Sequence, residues 1–468
     1  MDAESTSLDF EVVIVGGGSA GYAAARSAAA GGLRTAIVEG GSEVGGLCIL
    51  RGCMPSKALL YAAEVLHLAR HAETWGLYIP QAGFDFERVM DRKNSMIQEF
   101  ADDRVKQLSA GKFVFIRAKA AFLDPHRIEL DNGQILTARC FIISTGSAVA
   151  PPPWASLADA GYWTSDDVLR LKAAPPSLIV LGGGAVAVEF AQFFARFDTE
   201  VTMIQRSPHI LHSFDADLTG ELENVLREEG MNIFTGTTIE QISSSNGMKR
   251  VAFRQSDELV EVEAEEILLA LGRVPAVEGL ALEKAGVVLT DGRIQTDARM
   301  RTNVPHIFAA GDCTGPNEIV HIAVQQGETA AHNILRQDQP REMDYRMLIS
   351  VVFSDPQAAT VGLTEKAAKE AGVAFIGAGH PFKDHGKSLL MEAKHGFVKL
   401  LADPVTGEIL GGAVLGPAGG ELIHEIVAAM AKRMTVHELA AMPHYHPTLA
   451  EIWTYPAEEL AAKIAKTD

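Results

Sequence analysis

Two strand, glycine-loop, helix segments and a differently patterned C-terminal region predict an α/β protein: two Rossmann-like dinucleotide-binding domains followed by an α+β domain. In the first segment the apolar run 10–15 reads as a buried strand. Gly16-Gly17-Gly18-Ser19-Ala20-Gly21 is the loop, the alanine-rich stretch 22–30 the helix, and 35–38 a second strand ending at Glu39. The plan recurs from Ser177 as the strand SLIVL, the loop Gly182-Gly183-Gly184-Ala185-Val186-Ala187, a helix to about Phe197 and the strand VTMIQ. Prolines 151–153 and 175–176 mark a junction between the halves. Beyond a second junction at 337–341, the strand-like runs ISVVF, FVKLL and ILGGAVLG and helical patterns over 421–430 and 449–464 give the third domain.

In each loop the first glycine (Gly16, Gly182) makes the tight turn and the second (Gly18, Gly184) lets a pyrophosphate approach the backbone. The third position (Gly21, Ala187) sets how closely helix and strand pack. The partners of the two loops differ. Glu39, 23 residues after Gly16, can accept hydrogen bonds from a ribose diol and suits an adenosine without a 2′-phosphate. At the same distance after Gly182 stands Gln205, followed by Arg206, and nothing there repels a 2′-phosphate. The second site is therefore expected to take NADPH over NADH; a solvated surface charge is the plainer reading of Arg206.

With 468 residues, 47% of them hydrophobic, the chain calls for roughly three domains, large enough to bury sizeable cofactors. A formal charge of -19 argues against nucleic acid and anionic membranes as partners. No apolar run reaches 18 residues, and an acidic stretch precedes the first strand, which reads as a soluble cytoplasmic protein. Four cysteines are too few for a secreted disulfide framework.

Two of those cysteines, Cys48 and Cys53, lie five residues apart in Gly45-Gly46-Leu47-Cys48-Ile49-Leu50-Arg51-Gly52-Cys53-Met54-Pro55-Ser56-Lys57. In a regular helix that spacing rises about 7.5 Å, beyond the roughly 7 Å Cα limit for a disulfide, so bridging requires a distorted first turn. Gly52 gives room for it. A helix N-terminus favours thiolate and would make the pair a redox couple. The segment offers too few ligands for a metal site, and two inert buried thiols are the alternative. Near the C-terminus, His444-Tyr445-His446-Pro447-Thr448-Leu449-Ala450-Glu451 places Pro447 at an expected helix N1 position, with His446 before the helix and Glu451 one turn inside. That carboxylate can orient an imidazole suited to exchanging protons with thiols. His444 is read as supporting, and Cys140 and Cys313 as packing.

Together these motifs resemble the class I pyridine nucleotide-disulfide oxidoreductases, which include dihydrolipoamide dehydrogenase, glutathione reductase and mercuric reductase. Ser144-Thr145-Gly146, Leu271-Gly272-Arg273-Val274-Pro275 and the run from Thr302 through Ile307-Phe308-Ala309-Ala310-Gly311-Asp312 add to the resemblance. It implies FAD at Gly16, Gly18, Gly21, Glu39, Gly46, Thr145, Gly146, Gly311 and Asp312. It implies NAD(P)H at Gly182, Gly184, Ala187, Gln205, Arg206 and Gly272. Lys57 resembles the lysine beside flavin N5, and Glu189 the acid that pairs with it. Cys53 becomes the charge-transfer thiol, Cys48 the interchange thiol, and His446 with Glu451 the proton relay, supplied across a homodimer. Domains are expected at 1–152 with 274–340 (FAD and central), 153–273 (NAD(P)) and 341–468 (dimerisation). The implied substrate is a small disulfide or dithiol or a protein-bound lipoyl group. A mercuric or other metal-ion reductase, a glutathione reductase and a non-catalytic redox sensor are the alternatives. Some residues depart from the pattern: Ile49-Leu50-Arg51 is bulky and cationic, Ala185 stands where glutathione reductases carry a gating aromatic, and the tail lacks the cysteine pair usual in mercuric reductases.

Overall fold

The computed structural model describes residues 8–464, so the first residues of the acidic N-terminus, the last four of the tail and the outer ends of the two terminal domain spans lie outside the described residues. The chain divides into two compact units. One takes the residues up to Ala58, Asp91–Pro151 and Gly272–Asp344; the other takes Leu59–Met90, Pro152–Leu271 and the residues from Tyr345 on.

The first unit is built on β1 (Phe10–Val15), whose Val12, Val13 and Ile14 are fully buried, as a strand covered on both faces must be. After α1 (Ser19–Ala30) comes β2 (Thr35–Glu39), parallel to β1. The redox segment follows as α2 (Gly46–Leu50) and the start of α3 (Cys53–Arg70), whose residues from Leu59 on belong to the other unit, and the part of α4 (Phe86–Leu108) from Asp91 on leads to β3 (Val114–Arg117). β4 (Ala120–Asp124), β5 (Arg127–Leu130) and β6 (Ile135–Ile143) complete the path. The sheet order is β3-β2-β1-β6-β5-β4, with strand Ile307–Ala309 parallel to β6. β6 is long enough to do two things: its second half pairs parallel with β1 and its first half antiparallel with β5.

The first helix begins three residues earlier than the sequence reading placed it. Gly18 is extended and the helix starts at Ser19, so Gly21 lies inside the first turn. A Cβ on Gly21 would stand 1.9 Å from the Gly16 carbonyl oxygen, which is why that position tolerates only glycine. Helix Val320–Leu335 packs on α1 equally closely: a Cβ on Gly327 would meet the Ala20 carbonyl oxygen at 2.3 Å.

In the second unit the strands Asn232–Phe234, Glu200–Ile204, Ser177–Leu181 and Glu266–Leu269 form a parallel sheet in that order. Helix Ala185–Arg196 follows the second glycine loop, packing Phe190, Phe193 and Phe194 into the core. Thr237–Ser245, Met248–Gln255 and Glu258–Ala264 make an antiparallel meander beside them. The C-terminal part is a five-stranded antiparallel sheet in the order Ile349–Val352, Gln357–Gly362, Ile409–Gly416, Phe397–Ala402, Ile376–Pro381. Helix Gly419–Ala431 and the fully buried Trp453 pack in its core.

One expected boundary needs correction. Pro447 is not the first residue of a helix; Ala450–Trp453 is a 3₁₀ turn that runs into helix Thr454–Ile464. The turn-closing bond there is Ile452 N–H to the Leu449 carbonyl, so residues 446–448 remain an irregular approach and Glu451 sits in a 3₁₀ turn.

Candidate active site

The first glycine loop is a cradle with its acid already engaged. Gly16 (φ +109°) leaves no room for a Cβ, which would fall 2.3 Å from the Ser144 oxygen. Glu39 Oε2 accepts from Gly17 N at 2.8 Å and Oε1 from Gly41 N at 2.6 Å, which fixes the carboxylate and leaves each oxygen further lone-pair capacity for a sugar hydroxyl. Gly46 (φ +72°) closes on the loop, where a Cβ would stand 2.6 Å from Gly18 Cα. Farther along, Ser147 Oγ donates to Asp312 Oδ2 at 2.7 Å and accepts from Arg273 Nε at 2.8 Å. Ser147 and Arg273 thus hold the acid that the sequence singled out, and Ser147 was missed because only the fold brings it there. The Thr145 hydroxyl is buried without a protein partner. Gly146 and Gly311 both have positive φ, and Gly311 N donates to Gln326 Oε1.

The cysteine pair straddles a break between two helices, which corrects the single distorted turn expected from spacing. Cys48 lies in α2, Arg51 and Gly52 interrupt the helix, and Cys53 opens α3. A Cβ on Gly52 would approach the Leu47 oxygen to 3.1 Å and Cys48 Cα to 3.4 Å, so the break is as tight as glycine allows. Its carbonyl is tied to α3 by Ser56 Oγ at 2.8 Å. The helix-end argument therefore belongs to Cys53, at the start of an 18-residue helix, and not to Cys48. The Cys48 thiol is pushed far above its ordinary value, first by its hydrogen bond to Cys53, then by burial and by the charge on Cys53; Arg104 and Lys57 pull the other way. Cys48 and Cys53 are not joined by a disulfide here. Ile49 and Leu50 cover Gly45, and Arg51 is engaged by Glu43 at 2.8 Å. Cys140 and Cys313 are buried, and burial pushes the Cys313 thiol up to about 11.

At the second glycine loop, Gly182 (φ +125°) would place a Cβ 2.4 Å from the Ala270 oxygen, whereas Gly184 is open on that side. Ala187 is fully buried. The buried Gln205 side chain lies on Gly183, where a Cβ would meet its Cγ at 2.9 Å, and Arg206 is exposed. Gly272 belongs to the first unit, with φ +108° and its carbonyl accepting from Ala150 N. Glu189 is buried, with Oε1 accepting from Phe353 N at 3.0 Å.

The C-terminal motif forms around one carboxylate. His446 Nδ1 lies 3.1 and 3.0 Å from the two oxygens of Glu451, its ring exposed while Glu451 is buried. A second histidine that the sequence reading missed stands on the same acid: His385 Nε2 is 3.3 Å from Glu451 Oε1, with Nδ1 held by Ser388 Oγ at 2.7 Å. His385 is wholly buried. Burial lowers its basicity first, the Glu451 charge opposes that, and His380 and His446 lower it further. His444 bonds Glu425 Oε1 at 2.6 Å and the Met442 carbonyl at 3.0 Å.

These elements define a flavin-dependent disulfide oxidoreductase built on two dinucleotide-binding folds. Residues 10–327 match the family described as pyridine nucleotide-disulphide oxidoreductase, and 348–457 match its dimerisation domain; the chain belongs to this family. It is 35% identical over 455 residues to dihydrolipoyl dehydrogenase of Thermus scotoductus, covering 96% of this chain and 97% of the relative. To the Mycobacterium tuberculosis dihydrolipoyl dehydrogenase it is 36% identical over 448 residues, covering 94% and 96%. Among solved structures, LpdA from Mycobacterium tuberculosis superposes with TM-score 0.87 at 28% identity, covering 96% of this chain and 99% of that one. The HOCl-induced flavoprotein disulfide reductase RclA from Escherichia coli gives 0.85 at 26%, with the same coverage.

The family implies FAD and NAD(P)H, and the residues fit them. The Gly16–Gly21 turn and Gly46 clear a backbone surface at a helix start, as a pyrophosphate needs. The orphaned Thr145 hydroxyl and the braced Asp312 offer polar partners to a bound flavin. No helix among the described residues is long and apolar enough to cross a membrane.

Proposed function

We propose that this protein is an NAD(P)H-dependent disulfide reductase, close in its active-site residues to dihydrolipoyl dehydrogenase, with Cys48 as the interchange thiol and Cys53 as the thiol next to flavin. Bound FAD supplies the two-electron relay between nicotinamide and the cysteine pair. One observation carries the reading: Cys48 lies inside the short helix α2 while Cys53 opens the 18-residue α3 across the tight Gly52 break, so the two thiols stand in different settings before any substrate arrives. In the reduced protein, Cys48 gives its proton to His446 of the partner subunit and, as thiolate, attacks one sulfur of the acceptor, forming a mixed disulfide and expelling a thiolate. His446 of the partner subunit protonates that leaving sulfur, its ring aimed by Glu451. Cys53 then attacks Cys48, the second thiol leaves, and the internal disulfide is restored. Lys57 is assigned as the cation beside the flavin and Glu189 as the acid associated with it. Oxidation of a dithiol runs the same steps backwards.

For the nicotinamide site we favour NADPH, on Gln205 in place of an acid and on the exposed Arg206 next to it. A kcat/KM for NADH well above that for NADPH would overturn this preference. The test of the whole scheme is steady-state kinetics of the purified protein with both nucleotides against lipoamide, glutathione disulfide, other small disulfides and mercuric ion. Cys48→Ser should abolish disulfide reduction; disulfide turnover at wild-type rate in that variant would sink the scheme.

A further inference from the structure

Arg104, near the end of α4, is an arginine with unmet hydrogen-bonding capacity. Its guanidinium lies over the Tyr22 ring, 4.3 Å from the centroid, and its Nε and Nη1 are buried without a protein partner. A guanidinium N–H in that state is costly unless a ligand takes it. The groups acting on its charge are Tyr22, Cys48 and Arg26, none of them a carboxylate. The acids beside it on α4 are used elsewhere: Asp102 accepts from Gln98 at 2.8 Å and Asp103 from Lys106 at 3.1 Å. Arg26 has its own partner in Glu328 at 2.9 Å. Of the cations that act on the Cys48 thiol, Arg104 comes first and Lys57 second. A planar fork of donors, held over an aromatic ring and near enough for its charge to act on the interchange thiol, is the arrangement that recognises a carboxylate or similar anion.

We propose that Arg104 receives an anionic group of the acceptor, so that the protein selects disulfides bearing a carboxylate or another anion close to sulfur. This rests on Cys48 being the interchange thiol. The same guanidinium chemistry would also suit the pyrophosphate of bound FAD, and the experiment separates the two sources.

The probes are three small symmetrical disulfides: dithiodipropionate (anionic), hydroxyethyl disulfide (neutral) and cystamine (cationic). kcat/KM is measured for each with the wild-type holoenzyme, R104Q and R104K, and the FAD dissociation constant is determined for the same proteins. The wild type should prefer the anionic over the neutral disulfide by about tenfold to a hundredfold, the range of one charge-assisted hydrogen bond. R104Q should bring that ratio close to one and R104K should restore part of it, with FAD affinity changed less than threefold. Equal kcat/KM for all three disulfides in the wild type overturns the proposal without needing any variant to fold. So does a ratio that survives in R104Q, and if that variant also loses FAD affinity, Arg104 belongs to the cofactor. Wild-type protein that reduces none of the three would instead overturn the disulfide-reductase reading itself.

Discussion

At the scale of single residues, Glu451 serves two histidines of opposite character: His446, exposed and able to reach a substrate, and His385, buried and held on its far side by Ser388. Bracketed in this way, the carboxylate has little freedom, and its orientation is passed on to His446. Glu451→Gln should lower kcat for disulfide reduction by roughly 10²-fold, at the lower end of what a positioned acid–base group contributes. Ferricyanide reduction, which needs only the flavin half, should hold near wild type; an equal loss in both assays would make Glu451 merely structural. His385 also gives stability a pH dependence. Its basicity is depressed in the folded state, chiefly by burial, so between its folded and unfolded values the unfolded chain binds more protons and stability falls as pH drops below about 6.5. His385→Asn should flatten that acid-side loss in urea midpoints measured from pH 8 to 5. The His446–Glu451 pair was legible because both residues lie in one short segment, where spacing alone brings them together. His385 was not, because it arrives from a separate sheet edge and only tertiary packing delivers it.

At the scale of elements, the first glycine loop works because two helices approach without side chains between them. Gly21 lets α1 sit on the Gly16 carbonyl, and Gly327 lets helix Val320–Leu335 lie against Ala20 in the first turn of α1. Gly327→Ala sets a methyl 2.3 Å from a backbone oxygen, a contact no rotamer change relieves, so the helices must part. The expected cost is about 1–3 kcal/mol of overpacking, with α1 displaced at the end that cradles the pyrophosphate. It should appear as a lower flavin-to-protein absorbance ratio after gel filtration and a Tm that added FAD partly restores. A variant that keeps its full flavin complement would show that the loop tolerates the shift. The strands that flank both loops were readable to within a residue, because an apolar run bounded by glycine has few alternatives. Gly327 carried no such signal, since a glycine inside an amphipathic pattern becomes meaningful only when its neighbour is known. The break at Gly52 was half legible: the spacing of Cys48 and Cys53 demanded a distortion but could not say that a helix ends and another begins between them.

At the scale of the whole molecule, the arrangement proposed above makes the dimer the smallest active unit. The chain carries the family's dimerisation domain over 348–457, and that domain contains His446 and Glu451, whereas Cys48 and Cys53 lie near the start of the chain. If each catalytic centre combines the cysteines of one subunit with the histidine of the other, two differently crippled chains can complement each other. Cys48→Ser and His446→Gln homodimers should each be inactive or nearly so toward disulfides. Unfolding the two together in equal amounts and refolding with FAD lets the subunits pair at random, so about half the dimers are mixed. In a mixed dimer one centre receives both substitutions and the other receives neither. Activity should therefore return to about a quarter of the wild-type value for the same amount of protein, with no recovery when either variant is refolded alone. Were each centre built from a single chain, every centre in the mixture would hold one lesion and no activity would reappear. The recovered activity should also fall on dilution below the dimer dissociation constant, because separating the subunits removes the proton donor from every centre at once.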